Sequence, residues 1–436
     1  MDQELLSSAA AVLKQNDRGS YTVPAGDLYP HQWLWDSCFI AIGLRHLDIE
    51  RAKTELESLK RGQWSNGMLP DMIFGSKRAS LDGLLWDSAI SPFAPEHVTT
   101  SGITDPPMLA EAVMSVGQKL KLPERRTWYK QMLPTIIHFH QWLYRERDVR
   151  HEGLITIIHP YESGMDNSPP WIEELKDHGI PIWVKAAEKL KLGRLIKHVR
   201  RDTRHTPANQ RMSNVEALAF WSALRHLQHK AYDSKKILSK PRLDLQDLAF
   251  NCILIRANAC LKDIAKTAGV DLPKELLGDI KRGEEALEQL WDEPSGQYYS
   301  RSFASGELVM QPSISTFLTL YAGTIPKERA EKLVGLLSKR GAYKSIWPVP
   351  SVPANSEYFD PERYWQGPVW VNMNWLIIQG LRRYGFDKEA DVLRDRTLEL
   401  VAKSGYHEYF NPLDGTGLGA KNFSWTAALA IDLLKT

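Results

Sequence analysis

Apolar residues recur at three- and four-residue spacing along almost the whole chain, and convincing two-residue alternation is rare. That pattern predicts helices, over residues 3–14, 37–47, 49–61, 107–120, 123–145, 183–198, 213–229, 245–266, 273–291, 314–321, 326–339, 369–384, 387–402 and 422–434. Ser213 and Glu216 have the spacing of a capping box, and Pro107, Pro123, Pro273 and Pro326 fall where a first helical turn tolerates proline. The run from Gly296 to Arg301, followed by Ser305, Gly306 and Glu307, predicts a short β-hairpin. Trp142 and Trp221 lie within helical patterns and read as core. With no repeat of solenoid length and no heptad, the helices predict either a bundle or a closed toroid of helix pairs. No Pro/Ser/Gly-rich linker divides the chain, so residues 1–436 are read as one all-α domain.

The connections between these helices are long, aromatic and acidic. One carries Tyr29, His31, Trp33, Trp35 and Asp36, and another runs through Trp64, Asp71 and Trp86 to Asp105. A third holds Glu162 and Asp166 among Pro160, Gly164, Pro169 and Pro170, residues that disfavour regular structure. Its neighbours Tyr161, Met165 and Trp171 supply apolar surface able to raise the pKa of an acid. The alternative for Asp166 is an Asx-turn that caps the next helix. Farther on lie Tyr364, Trp365, Gly367 and Trp370, and near the end Glu408 is wedged between aromatics in a loop that mirrors the Asp166 stretch. Aromatic faces interleaved with hydrogen-bonding groups suit a sugar ring, apolar on its C–H faces and polar at its rim. The cations between Lys185 and Arg211 read mostly as a solvated helix face, with Arg204 or Arg211 as a candidate partner for an anionic substrate group.

Composition narrows the field. The 436 residues are 43% hydrophobic and 25% charged, enough to bury a substantial core, and the net charge of +2 lacks the basic excess of a nucleic-acid binder. The chain's first residues have no basic n-region or apolar h-region, and no apolar run approaches a membrane span, so a cytoplasmic location is expected. Cys38, Cys252 and Cys260 form no disulfide framework or zinc pattern, and no phosphate-binding glycine loop occurs, so no metal or other cofactor is expected. The expected partner is a small carbohydrate. Self-association into a homo-oligomer stays open.

Six stretches in order, Trp33-Leu-Trp-Asp36, Ser101-Gly-Ile-Thr104 with Pro106 and Pro107, Glu162-Ser-Gly-Met-Asp-Asn-Ser168, Leu245-Gln-Asp-Leu248, Tyr364-Trp-Gln-Gly-Pro-Val-Trp370 and Glu408-Tyr-Phe-Asn411, resemble glycoside hydrolase family 63. They are most similar to its short bacterial members, which hydrolyse mannosylglycerate and glucosylglycerate. The resemblance spans nearly the whole chain. It implies an (α/α)6 barrel with the site in the mouth formed by the long loops, Asp166 as general acid and Glu408 as general base. It implies a sugar-gripping wall of Tyr29, Trp33, Trp35 and Asp36, joined by Trp365, Gly367 and Trp370, with Tyr364 and Arg211 in the same site. The chain departs from the glycerate-releasing pattern at Asp71, Asp105 and Ala217, where that pattern has His, Gln and Tyr. Asp71 and Asp105 would alter hydrogen bonds near the sugar, and Ala217 lacks a hydroxyl for the glycerate carboxylate.

The expected activity is inverting hydrolysis of a small α-glucoside or α-mannoside of glycerate type, with α-glucosidase action on neutral saccharides as the alternative. Inverting enzymes place two carboxyl groups about 6.5 to 9.5 Å apart, and residues so distant in sequence meet only in a fold that closes on itself. A sugar epimerase using His31, His159 or His407 as proton shuttles, or a non-catalytic sugar-binding protein, are the readings of other classes.

Overall fold

The computed structural model describes residues 2–26, 28–75, 79–181, 183–184, 203, 206–338 and 340–436. Its barrel helices alternate between an outer and an inner position. Outer α1 (Asp2–Asn16) leads to inner α2 (Leu34–Leu44), outer α3 (Ile49–Ser58) to inner α4 (Leu109–Gly117), and outer α5 (Leu122–Arg147) across α6 (Asn214–His229) to inner α7 (Leu248–Ala268). Outer α8 (Lys274–Ala286) precedes inner α9 (Leu318–Ala322), outer α10 (Lys327–Leu337) precedes inner α11 (Val371–Arg383), and outer α12 (Asp387–Ser404) precedes inner α13 (Ser424–Lys435).

The inner helices form a closed circuit in which α2 packs on α4, α4 on α7, α7 on α9, α9 on α11, α11 on α13 and α13 back on α2. The outer helices cover this ring, α1 against α13, α3 against α2, α5 against α7 and α12 against α11. The architecture is an (α/α)6 barrel. Hydrophobicity sorts the two layers: every residue of α2 and of α4 is buried, whereas α3 buries only one face. Two glycines permit the closest inner contacts. A Cβ on Gly43 would lie 2.4 Å from the Ala428 carbonyl oxygen, and one on Gly380 would lie 2.7 Å from the Tyr321 nitrogen, so helix backbones meet where any side chain would hold them apart.

Among the described residues, strands are confined to small antiparallel pairs. β1 (Gln32–Trp33) pairs with β2 (Met72–Ile73), β3 (Leu245–Gln246) with β6 (Arg301–Ser302), β4 (Trp291–Asp292) with β5 (Gln297–Tyr298), and β7 (His407–Phe410) with β8 (Gly417–Lys421). The predicted hairpin is therefore reorganised: residues 297–298 pair backwards with 291–292, and Arg301 bridges Leu308 across the Gly306 turn while 301–302 pair with 245–246. Residues 245–246 are strand instead of the expected helix start, because Asp247 accepts from the Phe250 nitrogen and caps α7 there. The capping box of Ser213 and Glu216 is present.

Three short helices, Ala79–Trp86, Pro169–Glu174 and Ser234–Leu238, escaped the periodicity because each is too short to show one. The predicted helix over 183–198 lies almost wholly outside the described residues, as do the cations from Lys185 to Arg204. Trp142 is buried as expected, but Trp221 is 46% exposed and meets Trp183 edge to face, so it belongs to the surface and not to the core.

Candidate active site

The stretch after α5 is anchored by a buried ion pair. Glu162 accepts two guanidinium bonds from Arg147, at 2.7 and 2.8 Å, and further bonds from the backbone nitrogens of Ile158 and Thr104. This carboxylate is wholly buried and committed to holding the loop. His159 is also structural: one ring nitrogen accepts from the Tyr161 backbone and the other donates to the Phe220 carbonyl at 3.0 Å, which leaves no nitrogen for proton shuttling. Gly164 then turns the chain with φ +66°, and a Cβ there would lie 2.5 Å from the Trp35 ring. A larger residue would push the loop off the indole that supports it.

Asp166 follows directly. Its Oδ2 accepts from the Tyr364 hydroxyl at 3.3 Å. Burial pushes its carboxyl up to about 7, with the charge of Glu408 adding to the rise while the Tyr364 hydrogen bond and Arg211 oppose it. The loop is locked next door to the Tyr364–Trp370 stretch, where the Trp365 nitrogen donates to Asn167 Oδ1 and Gln366 Nε2 donates to the Asn167 carbonyl.

Glu408 comes from β7, at the register shift between His407 and Tyr409, in place of the irregular loop expected from the sequence. A bulge re-aims a side chain at a sheet edge, and here it turns a carboxylate toward Arg211 and Tyr29. Arg211 holds Glu408 through two bonds, at 2.7 and 3.1 Å, the Tyr29 hydroxyl donates at 2.8 Å, and the Ala420 nitrogen donates at 2.9 Å. Those donors fill the roughly four lone-pair positions of an ionised carboxylate. Gly419, at φ +69°, makes the approach of β8 possible, since a Cβ there would lie 2.5 Å from Glu408 Oε2.

Arg211 is itself caged by aromatic rings, its guanidinium carbon 5.0 Å from the Tyr364 centroid, 5.8 Å from Tyr29 and 5.9 Å from Tyr409. Tyr409 entered the sequence reading only as part of the Glu408–Asn411 stretch, without a role, and the neighbouring Gln210 not at all. Tyr409 donates to the Gln210 carbonyl, and Gln210 Oε1 accepts from the Gly419 nitrogen. Their adjacency to Glu408 and Arg211 was the available signal.

Trp35 and Asp36 lie in the first turn of α2, which starts three residues earlier than its periodicity suggested. The start is set from outside the helix: Asp105 Oδ2 accepts from the Trp35 nitrogen at 3.0 Å and the Asp71 carbonyl accepts from Leu34. Asp105 is therefore a helix cap. Burial raises the carboxyls of Asp36, Asp71 and Asp105, and nearby carboxylates raise them further, Glu408 for Asp36, Asp166 for Asp71 and Asp71 for Asp105. Oδ1 of Asp36, both oxygens of Asp71 and the indole nitrogen of Trp33 are buried with no hydrogen-bond partner among the described residues.

Trp365 and Trp370 stack in parallel with centroids 3.7 Å apart, and Trp370 stacks in turn on Tyr409. This slab packs against Tyr364, whose ring centroid lies 5.5 Å from that of Trp370. Gly367 is required by its own backbone neighbours, since a Cβ would lie 2.1 Å from the Asp360 carbonyl oxygen. The site thus brings together Asp166, Glu408, Arg211, Tyr29, Tyr364, Asp36, Asp71 and Asp105 on one connected electrostatic network. No described group of His, Cys, Asp and Glu has metal-binding geometry.

Residues 29–426 match the family described as mannosylglycerate hydrolase MGH1-like glycoside hydrolase domain. The chain is 38% identical to a mannosylglycerate hydrolase of Thermus thermophilus, over 97% of this chain and 99% of that one. It is 31% identical to a glucosylglycerate hydrolase of Mycolicibacterium hassiacum, over 99% and 98%. A crystal structure of a family 63 mannosylglycerate hydrolase from Thermus thermophilus, in complex with Tris and D-glycerate, superposes with a TM-score of 0.89 over 98% of this chain and 99% of that chain, at 38% identity. The chain belongs to the MGH1-like glycoside hydrolases of family 63, and it is a glycoside hydrolase.

Proposed function

We propose that this enzyme is an inverting α-glycosidase cleaving short conjugates in which mannose or glucose is joined to a three-carbon unit of the glycerate type, with Asp166 as general acid and Glu408 as general base. The observation that carries the reading is the contrast between two carboxyls on one network. Asp166, raised to about 7 by burial, keeps a proton to give at neutral pH, whereas Glu408 is held by a guanidinium. Asp166 protonates the glycosidic oxygen as the bond to the anomeric carbon breaks. Glu408 takes a proton from a water that attacks the same carbon from the opposite face, so the configuration inverts. Because four donors already occupy Glu408, the attacking water displaces one of them, and the Tyr29 hydroxyl is the neutral side-chain donor among the four. Arg211 fixes the base and Tyr364 fixes the acid. The relatives that release glycerate supply the first substrates to try, α-mannosylglycerate and α-glucosylglycerate.

Residues 1–436 act as one catalytic domain in this reading, consistent with the buried cluster running from Leu5 to Leu433. In the same reading the enzyme works in the cytoplasm, supported by three buried, unbridged cysteines. No helix among the described residues is long and apolar enough to cross a membrane.

The test is anomer-resolved NMR of the sugar first released from each α-linked conjugate, with Asp166→Asn and Glu408→Gln in parallel. The β-anomer should appear first, and each variant should lose at least a hundredfold in kcat, the scale of a general acid or base. First appearance of the α-anomer, or full activity in either variant, overturns the assignment.

A further inference from the structure

Tyr364 meets Asp166 from a backbone conformation that few residues with a side chain adopt. Its φ is +41°, in the left-handed region, where a Cβ is crowded and the conformation persists only if its surroundings impose it. On the downstream side, Trp370 Nε1 donates to the Tyr364 carbonyl at 3.2 Å and the Trp365 nitrogen donates to Asn167 Oδ1. On the upstream side, two side chains reach out of the loop. Glu362 Oε2 accepts from Asn209 Nδ2 at 2.7 Å, and Arg363 donates to Glu216 Oε1 at 2.6 Å. The Arg363 contact joins two charges and its carboxylate is buried, whereas the Asn209 bond has one neutral partner and lies in solvent.

Glu216 divides its carboxylate between two tasks. Oε2 accepts from the Ser213 nitrogen at 2.8 Å and completes the capping box that starts α6, while Oε1 takes Arg363. The helix needs only the first, which a glutamine at that place also supplies. The second ties the loop of Tyr364 to the segment that carries Arg211, and Arg211 in turn holds Glu408. One ion pair thus spans the supports of both proposed catalytic carboxyls.

We propose that Arg363 is a positioning residue: its ion pair with Glu216 holds Tyr364 in the left-handed conformation that brings the hydroxyl to Asp166 and the ring against Arg211. The inference rests on the reading of Asp166 as general acid and deepens it. Without the pair, Tyr364 relaxes and its bond to Asp166 is lost. That bond favours the charged form of Asp166, as Arg211 does, while burial, Glu408, Asp71 and Asp105 oppose it. Losing the bond therefore moves the carboxyl further above about 7, and the alkaline limb of kcat/KM, on which the acid gives up its proton, moves upward with it.

The test reads the titration of Asp166 directly, by carbon-13 NMR of carboxyl-labelled aspartate, with the Asp166 signal identified by its loss in Asp166→Asn. Arg363→Met and Glu216→Gln should each raise that titration by at least half the shift seen in Tyr364→Phe, and Arg363→Met should add nothing in the Tyr364→Phe background. Glu216→Gln retains the cap of α6, so it carries the test if Arg363→Met fails to fold. An unchanged titration in Glu216→Gln, or a shift in Arg363→Met that is as large in Tyr364→Phe as in the wild type, overturns the inference. The alkaline limb of kcat/KM is measured on the same variants. A limb that follows the titration supports both readings, and a titration that moves without the limb upholds the positioning of Tyr364 while refuting Asp166 as the acid.

Discussion

Asp166→Asn should destroy activity and at the same time stabilise the protein, and only at neutral to alkaline pH. The folded carboxyl titrates at about 7 and an unfolded aspartate near 3.9, so the folded state holds the proton more tightly than the unfolded state. Across that window the folded state binds more protons, and stability falls as pH rises from about 4 to about 7 before levelling off. Three pH units at about 1.4 kcal/mol each give roughly 4 kcal/mol of lost stability at pH 8. Asp166 is partly exposed, which screens its charge and brings the expectation to about 2 kcal/mol. Asparagine keeps the shape and cannot ionise, so the penalty disappears.

The assay is urea unfolding of wild type and variant at pH 4 and pH 8. The two should unfold alike at pH 4, while at pH 8 the variant midpoint should lie higher by about 1 M, given a slope of about 1 to 3 kcal/mol per molar. Buried carboxyls away from Asp166 titrate alike in both proteins and cancel in the difference, whereas Asp71 and Asp105, whose ionisation the Asp166 charge opposes, move the difference further in the variant's favour at pH 8. Equal midpoints at pH 8, or a variant less stable there than the wild type, would refute the view that Asp166 is an acid kept protonated at a cost to the fold.

Tyr364→Phe removes the hydrogen bond that opposes the rise of Asp166, so the alkaline limb of kcat/KM should move upward by roughly half to one pH unit, reflecting about 1 kcal/mol, and a downward shift would contradict the assigned bond. Gly419→Ala places a methyl against Glu408 at a left-handed backbone position, and kcat should drop at least tenfold, read against an unchanged far-UV circular dichroism spectrum. Arg147→Ala leaves Glu162 buried without its counter-charge and should cost about 3 to 5 kcal/mol by chemical denaturation. In whatever fraction remains folded, that variant should keep the pH profile of the wild type, because Glu162 holds the loop and does not exchange protons with substrate.

Helical periodicity was legible because each helix buries a stripe, and the stripe repeats locally in the sequence. The order of aromatic, acidic loops was equally local, so Asp166, Glu408 and the Trp33–Asp36 stretch stood out from the residues alone, while Arg211 was one of two candidates until the family resemblance favoured it. What the sequence did not carry was everything that depends on partners far away along the chain. Glu162 and Asp166 look alike in a one-dimensional reading, four residues apart in one loop; Arg147 neutralises the first, while burial leaves the second holding its proton.

The start of α2 followed neither periodicity nor a local cap, since its donors are satisfied by Asp105 and Asp71 from another loop. Glu408 read as a loop residue because the strand pairing that aims it is only a few residues long and includes a register shift. Trp221 and Trp142 share the same helical setting, yet one faces solvent and the other the core, a difference decided by which neighbouring elements pack over each face. Local spacing determines which residues can act together within a turn or two of chain. Closure of the helical ring decides which charges finally share a low-dielectric pocket, and hence which carboxyl gives a proton, which takes one and which only holds the frame.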